Sequence, residues 1–237
     1  MIWLRSLLFV AVFYVWSAFV AIAATPVMLM PRGAAVWVMR AWGTSVTWLL
    51  RVICDIKVEV RGRQYIPKGA ALIAAKHQCM FDIFGAFPLL EDSCFISRKE
   101  FIRIPFFGFF IWKSRQILVD REGGTKALKK MTADAQDRLK EARQVVIFPE
   151  GHRGEPGAAG DYKPGVAALY RELGMPCTPL ALNAGVHWPA HGFLRTPGTI
   201  VFAFLEPIPA GLKRGEFMRT LEDRIETASN ALVAEGL

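Results

Sequence analysis

A histidine and an aspartate five residues apart, His77 and Asp82, follow an apolar run that ends at Ala75. Histidine is the usual general base near neutral pH, and a neighbouring carboxylate fixes its tautomer and stabilises the imidazolium. Five residues of regular helix turn through about 500°, which would leave the two side chains roughly 140° apart. The pair can therefore act together only if His77 lies in a turn before a helix. Taken alone, this spacing is more typical of a surface histidine and a helix-capping aspartate.

A second polar group follows the apolar run 145–148 and reads Pro-Glu-Gly-His-Arg over residues 149–153. Proline stops a strand, and glycine permits a tight turn. Glu150 and Arg153 are therefore predicted to lie at the end of a strand, where the ligand sites of α/β proteins usually lie. An ordinary strand exit with solvated charges is the alternative interpretation.

Between these two stretches, residues 97–108 combine basic side chains with aromatic and aliphatic ones. The wider segment 93–119 carries five basic residues and one acidic residue. Such a mixture suits an amphiphile with a phosphate head group, because cations bind phosphate and apolar side chains bind the tail. A solvated basic loop beside a core segment would have the same composition.

Alternating strand and helix patterns must position these groups. Amphipathic helix patterns cover residues 125–142 and 216–234, with apolar side chains three or four residues apart. Strands that alternate with helices predict an α/β domain with a central sheet. The β-rich runs are residues 56–60, 71–75, 94–97, 116–119, 144–148, 178–182 and 199–204.

The first 54 residues are apolar and contain no acidic side chain. As a helix, residues 6–25 would be about 30 Å long, which is enough to cross the hydrocarbon core of a bilayer. The following apolar stretch 34–53 carries arginines and tryptophans that suit a membrane–water interface. A cleaved signal peptide, a transmembrane span and a helical hairpin in one leaflet all fit the first segment, and we favour a retained anchor. The sequence thus divides into an N-terminal membrane anchor, 1–54, and a second domain, 55–237.

The net charge of +8, from 29 basic and 21 acidic residues, predicts an anionic partner. Four arginines give the first 54 residues a charge of +4, so half of the total lies on the apolar arm. No nucleotide-binding glycine fingerprint and no C-x-x-C pair occurs, so the sequence predicts neither a nucleotide-binding fold nor a zinc site. We expect an anionic membrane as the partner, and no nucleic acid.

From about residue 58 to residue 204 the chain resembles the glycerolipid acyltransferases, specifically the 1-acyl-sn-glycerol-3-phosphate (lysophosphatidic acid) acyltransferase family. His77 and Asp82 match the H-x-x-x-x-D motif of that family. Residues 98–100 and 105–108 match its K-x-E-like and P-x-x-G elements, and its apolar strand containing a proline is matched around Pro179. Residues 148–153 match its F-P-E-G-T-R motif, except that His152 stands where the family usually has threonine.

The resemblance implies a central mixed sheet flanked by helices, with an N-terminal membrane-associated helical arm. It also implies transfer of a fatty acyl chain to the free hydroxyl of 1-acyl-sn-glycerol-3-phosphate, giving phosphatidic acid in phospholipid biosynthesis. His77 would be the general base and Asp82 its orienting carboxylate. The acceptor phosphate and glycerol would be bound by Arg98, Lys99, Glu150, Gly151 and Arg153, with Glu150 binding the glycerol hydroxyl or positioning Arg153.

The implied acyl donor is acyl-CoA or acyl carrier protein, and no metal or cofactor is expected because a thioester is already activated. This implies a catalytic domain on the cytoplasmic side of the cell inner membrane. The acceptor can instead be another lyso-lipid, such as a lyso-ornithine lipid, and His152 is the one hint in that direction. A non-catalytic module that binds anionic membranes or nucleic acid, and a secreted hydrolase, are further alternatives.

Overall fold

A seven-stranded mixed sheet is the centre of the computed structural model, which describes residues 1–105, 107–158 and 160–236. The strand order is β1-β7-β6-β2-β5-β3-β4, and all neighbours are parallel except β6 and β7. This confirms the predicted α/β fold with a central mixed sheet. The strands are β1 (Ile56–Arg61), β2 (Ala71–Ala75), β3 (Ser93–Arg98), β4 (Ile117–Val119), β5 (Gln144–Ile147), β6 (Cys177–Leu182) and β7 (Gly198–Phe204).

Helices cover both faces of this sheet. They are α1 (Ile2–Ala23), α2 (Arg32–Cys54), α3 (Phe81–Phe84), α4 (Phe107–Lys113), α5 (Gly124–Lys140), α6 (Gly165–Leu173), α7 (Ala184–His187) and α8 (Arg214–Gly236). The structure thus contains the two predicted amphipathic helices as α5 and α8. The helix α6 was not predicted, because its nine residues begin at the end of the loop 151–165, which is rich in glycine and proline.

The alternation of side chains along β2 explains how one strand serves two cores. Ile73 and Ala75 pack into the cluster beneath α1, α2 and α3, whereas Leu72 and Ala74 pack beneath α5, α6 and α8. Successive side chains of a strand point to opposite faces, so a strand covered on both faces must be apolar throughout. All five residues of β2 are buried, as its sequence Ala-Leu-Ile-Ala-Ala requires.

The apolar arm formed by α1 and α2 packs on the sheet domain. Phe9 and Phe13 of α1 are buried, and both rings contact Trp188 in T-shaped geometry, at centroid distances of 5.4 and 5.8 Å. The helix α2 ends at Cys54, and β1 begins at Ile56. The division at 54/55 therefore coincides with an element boundary, although one hydrophobic core extends across it.

The parallel strands β6, β2, β5, β3 and β4 end at the same edge of the sheet. His77 follows β2 by two residues, Glu150 follows β5, and Lys99 follows β3 directly. Because β2 and β5 are direct neighbours, the segments that follow them meet. The topology thus brings together motifs that are some 70 residues apart in the chain, at the edge where α/β proteins place their sites.

Candidate active site

His77 and Asp82 form a hydrogen-bonded pair in the turn between β2 and α3. The distance from His77 Nδ1 to Asp82 Oδ2 is 2.9 Å. The same carboxylate oxygen accepts hydrogen bonds from the backbone N–H groups of Gln78 at 2.6 Å and Cys79 at 2.7 Å. His77 thus lies before the helix, as the spacing argument requires, and Asp82 stabilises both the turn and the orientation of the ring.

The surroundings of the His77 ring leave one nitrogen for proton transfer. An ionised carboxylate can only accept hydrogen bonds, so Nδ1 carries the hydrogen and Nε2 has a free lone pair. The ring of Phe148, which directly follows β5, stacks on the imidazole with centroids 4.0 Å apart. The side chain of His77 is 11% exposed and that of Asp82 is fully buried. The site therefore holds a base with a fixed tautomer and a narrow opening to solvent.

The backbone of His77 is held from the loop after β5. Its N–H donates to Glu150 Oε1 at 3.0 Å, and its carbonyl accepts from the Gly154 N–H at 2.8 Å. Gly151 has φ +71°, a left-handed conformation that favours glycine, and it allows the loop to turn here. At Gly154, a Cβ atom would come within 2.9 Å of Glu150 Oε2. The glycines thus let the loop lie directly against His77.

Glu150 lies after β5, as predicted, and its carboxylate is buried. Its side chain is 1% exposed, with Oε1 on the His77 N–H and Oε2 3.3 Å from Lys76 Nζ. The carboxylate therefore points inward and supports the His77 backbone, and a role in binding the glycerol hydroxyl or positioning Arg153 stays a prediction. Burial raises the pKa of Glu150, while the His77 N–H and the Lys76 ammonium oppose that rise.

A large apolar groove adjoins residues 77–82, the turn with His77 and Asp82 that is called the catalytic turn below. It has a volume of about 520 Å³ and lies between the arm helices α1 and α2, Met80 with the helix α3, and residues 101–105 with the helix α4. Arg153 is the only charged side chain among its described lining residues, and it is exposed. The arrangement combines an apolar channel, one cation and a nearby imidazole paired with a carboxylate.

The other two basic residues that the sequence predicts to bind phosphate lie at the end of β3 and are paired with carboxylates. Arg98 Nε is 3.5 Å from Glu100 Oε2, and Lys99 Nζ forms an ion pair with Asp120 at the end of β4. Both are about half exposed. A phosphate-binding role for Arg98 and Lys99 stays a prediction.

The four cysteines are all free and buried. Burial raises the pKa of Cys79 well above the usual value, and that of Cys177 to about 12. Cys79 donates its S–H to Asp82 Oδ1 at 3.3 Å. It is therefore a thiol, which supports the carboxylate and is not poised as a nucleophile.

Three parts of this site were not predicted from the sequence: the stacking ring of Phe148, the groove, and the ion pair between Lys76 and Glu226. Lys76 Nζ lies 2.8 and 2.9 Å from the two carboxylate oxygens of Glu226 on α8. One signal was available, because Lys76 continues a fully apolar strand and a lysine so placed needs a buried partner. Nothing in the helical pattern of 216–234 marks Glu226 as that partner.

Comparison with known proteins gives consistent matches. The Acyltransferase family model matches residues 57–183. The 1-acyl-sn-glycerol-3-phosphate acyltransferase of Pseudomonas aeruginosa is 35% identical over 164 residues, or 69% of this chain and 64% of that protein. The 1-acyl-sn-glycerol-3-phosphate acyltransferase alpha of Ovis aries is 26% identical over 213 residues, 89% of this chain and 74% of that protein.

The fold also matches a solved structure, the 1-acyl-sn-glycerophosphate (LPA) acyltransferase PlsC from Thermotoga maritima. The TM-score is 0.78 at 21% identity, and the match covers 98% of each chain. The family model alone spans 127 of the 237 residues, from 57 to 183, and includes His77, Asp82 and Glu150. This chain therefore belongs to the acyltransferase family.

Proposed function

We propose that this protein is a 1-acyl-sn-glycerol-3-phosphate O-acyltransferase, which moves a fatty acyl chain to the free hydroxyl of lysophosphatidic acid and gives phosphatidic acid. The observation that carries the proposal is the 2.9 Å contact between His77 Nδ1 and Asp82 Oδ2 beside an apolar groove with one cation. The names of the relatives from Pseudomonas aeruginosa and Ovis aries support the same acceptor.

In the proposed reaction, His77 Nε2 takes the proton of the glycerol hydroxyl while the oxygen attacks the thioester carbonyl. The new ester C–O bond forms, the C–S bond breaks, and the imidazolium returns its proton to the departing thiolate. Asp82 keeps Nδ1 protonated and stabilises the imidazolium that forms between these steps. An alcohol needs this base because its pKa is high, whereas a thioester is already activated.

Arg153 would bind the acceptor phosphate, because a guanidinium can donate two parallel hydrogen bonds to phosphate oxygens. The groove would bind acyl chain, since its described lining is otherwise uncharged. The donor in this proposal is acyl-CoA or acyl carrier protein. Both are acidic, and residues 98–115 carry five basic side chains against one acidic one.

A membrane surface is proposed as the second partner. Among the described residues, every large apolar side chain more than a third exposed lies in the segments 1–52 or 102–112. The two segments are joined, because Lys113 Nζ donates to the Met28 carbonyl at 2.8 Å. A continuous exposed apolar surface beside a lipid groove fits the interface of a bilayer.

The helix α1 is long and apolar enough to cross a membrane. It lies along the domain instead of projecting from it, because Trp3 contacts Phe193 at one end and Ala21 adjoins Phe109 at the other. We therefore place the arm as a hairpin in one leaflet. The free cysteines fit the reducing cytoplasm, and the proposed location is the cytoplasmic face of the inner membrane.

The test is an acyl-transfer assay with the full chain in mixed micelles, using acyl-CoA and acyl carrier protein donors against several lyso-lipids. Wild type should acylate 1-acyl-sn-glycerol-3-phosphate, and His77→Ala should lose at least about 100-fold in kcat because a general base contributes that much. The exposed His191, replaced by alanine, is the matched control. Full activity of a folded His77→Ala protein would contradict the mechanism, and preference for a lyso-ornithine lipid would change the acceptor.

A further inference from the structure

A buried cluster of four ionisable side chains lies behind the catalytic turn. Lys76 is 1% exposed, and its ammonium contacts both oxygens of Glu226 and one oxygen of Glu150. The Tyr162 hydroxyl donates to Glu226 Oε1 at 3.0 Å. A buried ammonium is tolerated only when it is paired and hydrogen-bonded. The position of Lys76 therefore depends on every side chain of the cluster.

The cluster is connected to the catalytic base through a single carboxylate. Glu150 Oε2 lies 3.3 Å from Lys76 Nζ, and Glu150 Oε1 accepts the His77 N–H at 3.0 Å. Lys76 is bound more closely by Glu226, at 2.8 and 2.9 Å, than by Glu150. Glu226 therefore draws the ammonium towards α8 and leaves the Glu150 carboxylate free to hold the backbone of His77.

We propose that Glu226, on the C-terminal helix α8, is a positioning residue for His77 that acts through Lys76 and Glu150. This inference rests on the proposed function, because it assigns a role in the same catalytic turn. Glu226 lies 76 positions beyond Glu150 in the sequence. Among the described residues it is hydrogen-bonded to Lys76 and Tyr162, not to the His77 ring, and it does not line the groove. Its effect must pass through the contacts of the cluster.

Replacement of Glu226 should therefore change the placement of the base and leave substrate binding intact. Glu226→Gln keeps an acceptor for Lys76 and a partner for Tyr162 but removes the charge that holds the ammonium towards α8. Glu150 is then the one charged partner of Lys76 among the described residues, and the ammonium draws its carboxylate away from the His77 N–H. We expect kcat to fall roughly 10-fold in Glu226→Gln and about 100-fold in Glu226→Ala, with KM for both substrates unchanged, because small displacements of a catalytic group have effects of this size.

The experiment combines kinetics with a spectroscopic readout that needs no substrate. The chain has four histidines, so selective 15N labelling gives few ring signals to assign. The signals of the His77 ring should move in Glu226→Gln and in Lys76→Met, while those of the buried His187 report an unchanged fold. Glu235→Gln is the matched control, since Glu235 lies on the same helix in an exposed ion pair with Arg61.

A double variant, Lys76→Met with Glu226→Gln, should lose less activity than the product of the two single losses. Both substitutions disturb the same path of contacts, from Glu226 through Lys76 to Glu150. The proposal is overturned if kcat per folded molecule stays within about two-fold of wild type in Glu226→Ala. It is also overturned if kcat falls only with the folded fraction while the His77 signals are unchanged. If wild type lacks acyl transfer, the proposed function fails, and the His77 signals still decide whether Glu226 positions the ring.

Discussion

Gly43 of α2 lies directly against the carbonyl oxygen of Phe84 in α3. A Cβ atom at position 43 would come within 2.4 Å of that oxygen and within 3.2 Å of Pro88 Cδ. This close approach places the apolar arm against the short helix that carries Asp82. The position of the arm and the geometry of the catalytic turn are therefore mechanically linked.

Gly43→Ala should consequently destabilise the protein, because the contacted atom is backbone and cannot swing aside. We expect the free energy of unfolding to fall by about 1–3 kcal/mol, the usual range for overpacking a core. Chemical unfolding in a fixed detergent measures this loss. Gly33→Ala is the control within the same helix, since nothing lies within 4 Å of its Cβ position; equal losses in both variants would contradict the argument.

Asp82→Asn should lower kcat by about 100- to 10,000-fold, the span expected for disabling a general base. The carboxylate oxygen Oδ2 accepts from His77 and from two backbone N–H groups. An amide can offer one oxygen only, and its NH2 group would face a donor. Asp134→Asn, at a surface pair with Lys130, is the control. A kcat close to wild type in a folded Asp82→Asn protein would exclude a role in orienting His77.

Arg153→Ala should raise KM for the phosphate-bearing acceptor by about 10- to 100-fold, as expected for loss of a charge-assisted contact of ~1.5–3 kcal/mol. Activity on an acceptor without phosphate, such as a monoacylglycerol, should change little. Arg171→Ala serves as the control because Arg171 is a surface residue paired with Glu172. A rise in KM confined to the acyl donor would assign Arg153 to the donor instead.

Phe109→Ser combined with Trp112→Ser should weaken binding to anionic vesicles, because both side chains are at least 60% exposed on α4. At roughly 25 cal/mol per Å² of apolar surface, losing two aromatic contacts predicts a fall in vesicle partitioning of at least 10-fold. Sedimentation with vesicles measures it, and kcat in mixed micelles is the internal control. Unchanged partitioning would show that α4 does not touch lipid.

Thiol reagents should leave the native enzyme active at neutral pH. Burial raises the pKa of Cys79 and of Cys177, so neither forms an appreciable amount of the reactive thiolate. Acyl transfer after treatment with N-ethylmaleimide measures this, with the denatured chain as the control in which all four cysteines react. The Cys79→Ala variant should likewise retain most of the wild-type kcat, and complete loss of activity in a folded variant would indicate that Cys79 acts as a nucleophile.

The strands and the catalytic turn were predictable, because both depend on neighbours in the sequence. Residues 71–75 are apolar throughout and form β2 without any shift of boundary. The turn before α3 follows from the five-residue spacing of His77 and Asp82, which a regular helix cannot bring together.

The interior partners were not predictable, because they depend on which elements the topology brings together. Glu226 lies in a helical pattern where a carboxylate is normally solvated, yet it pairs with Lys76, 150 residues earlier. For the same reason Glu150 could not be assigned to the His77 backbone, since that contact requires β2 and β5 to be adjacent. Likewise Phe9 and Phe13 belong to an apolar run typical of a membrane anchor, although the structure buries both against Trp188.

The contact between Phe13 and Trp188 also bears on the order of events during synthesis. Trp188 lies 175 residues after Phe13, and at about 5–20 residues per second the ribosome needs roughly 9–35 s to make the intervening chain. Throughout that interval Phe13 lacks Trp188, although its other aromatic neighbours Trp42 and Phe84 are already made. We therefore expect the arm to enter the lipid first and the sheet domain to fold afterwards against the inserted arm. In this order the membrane shields the apolar side chains of the arm from water until the rest of the core has been made.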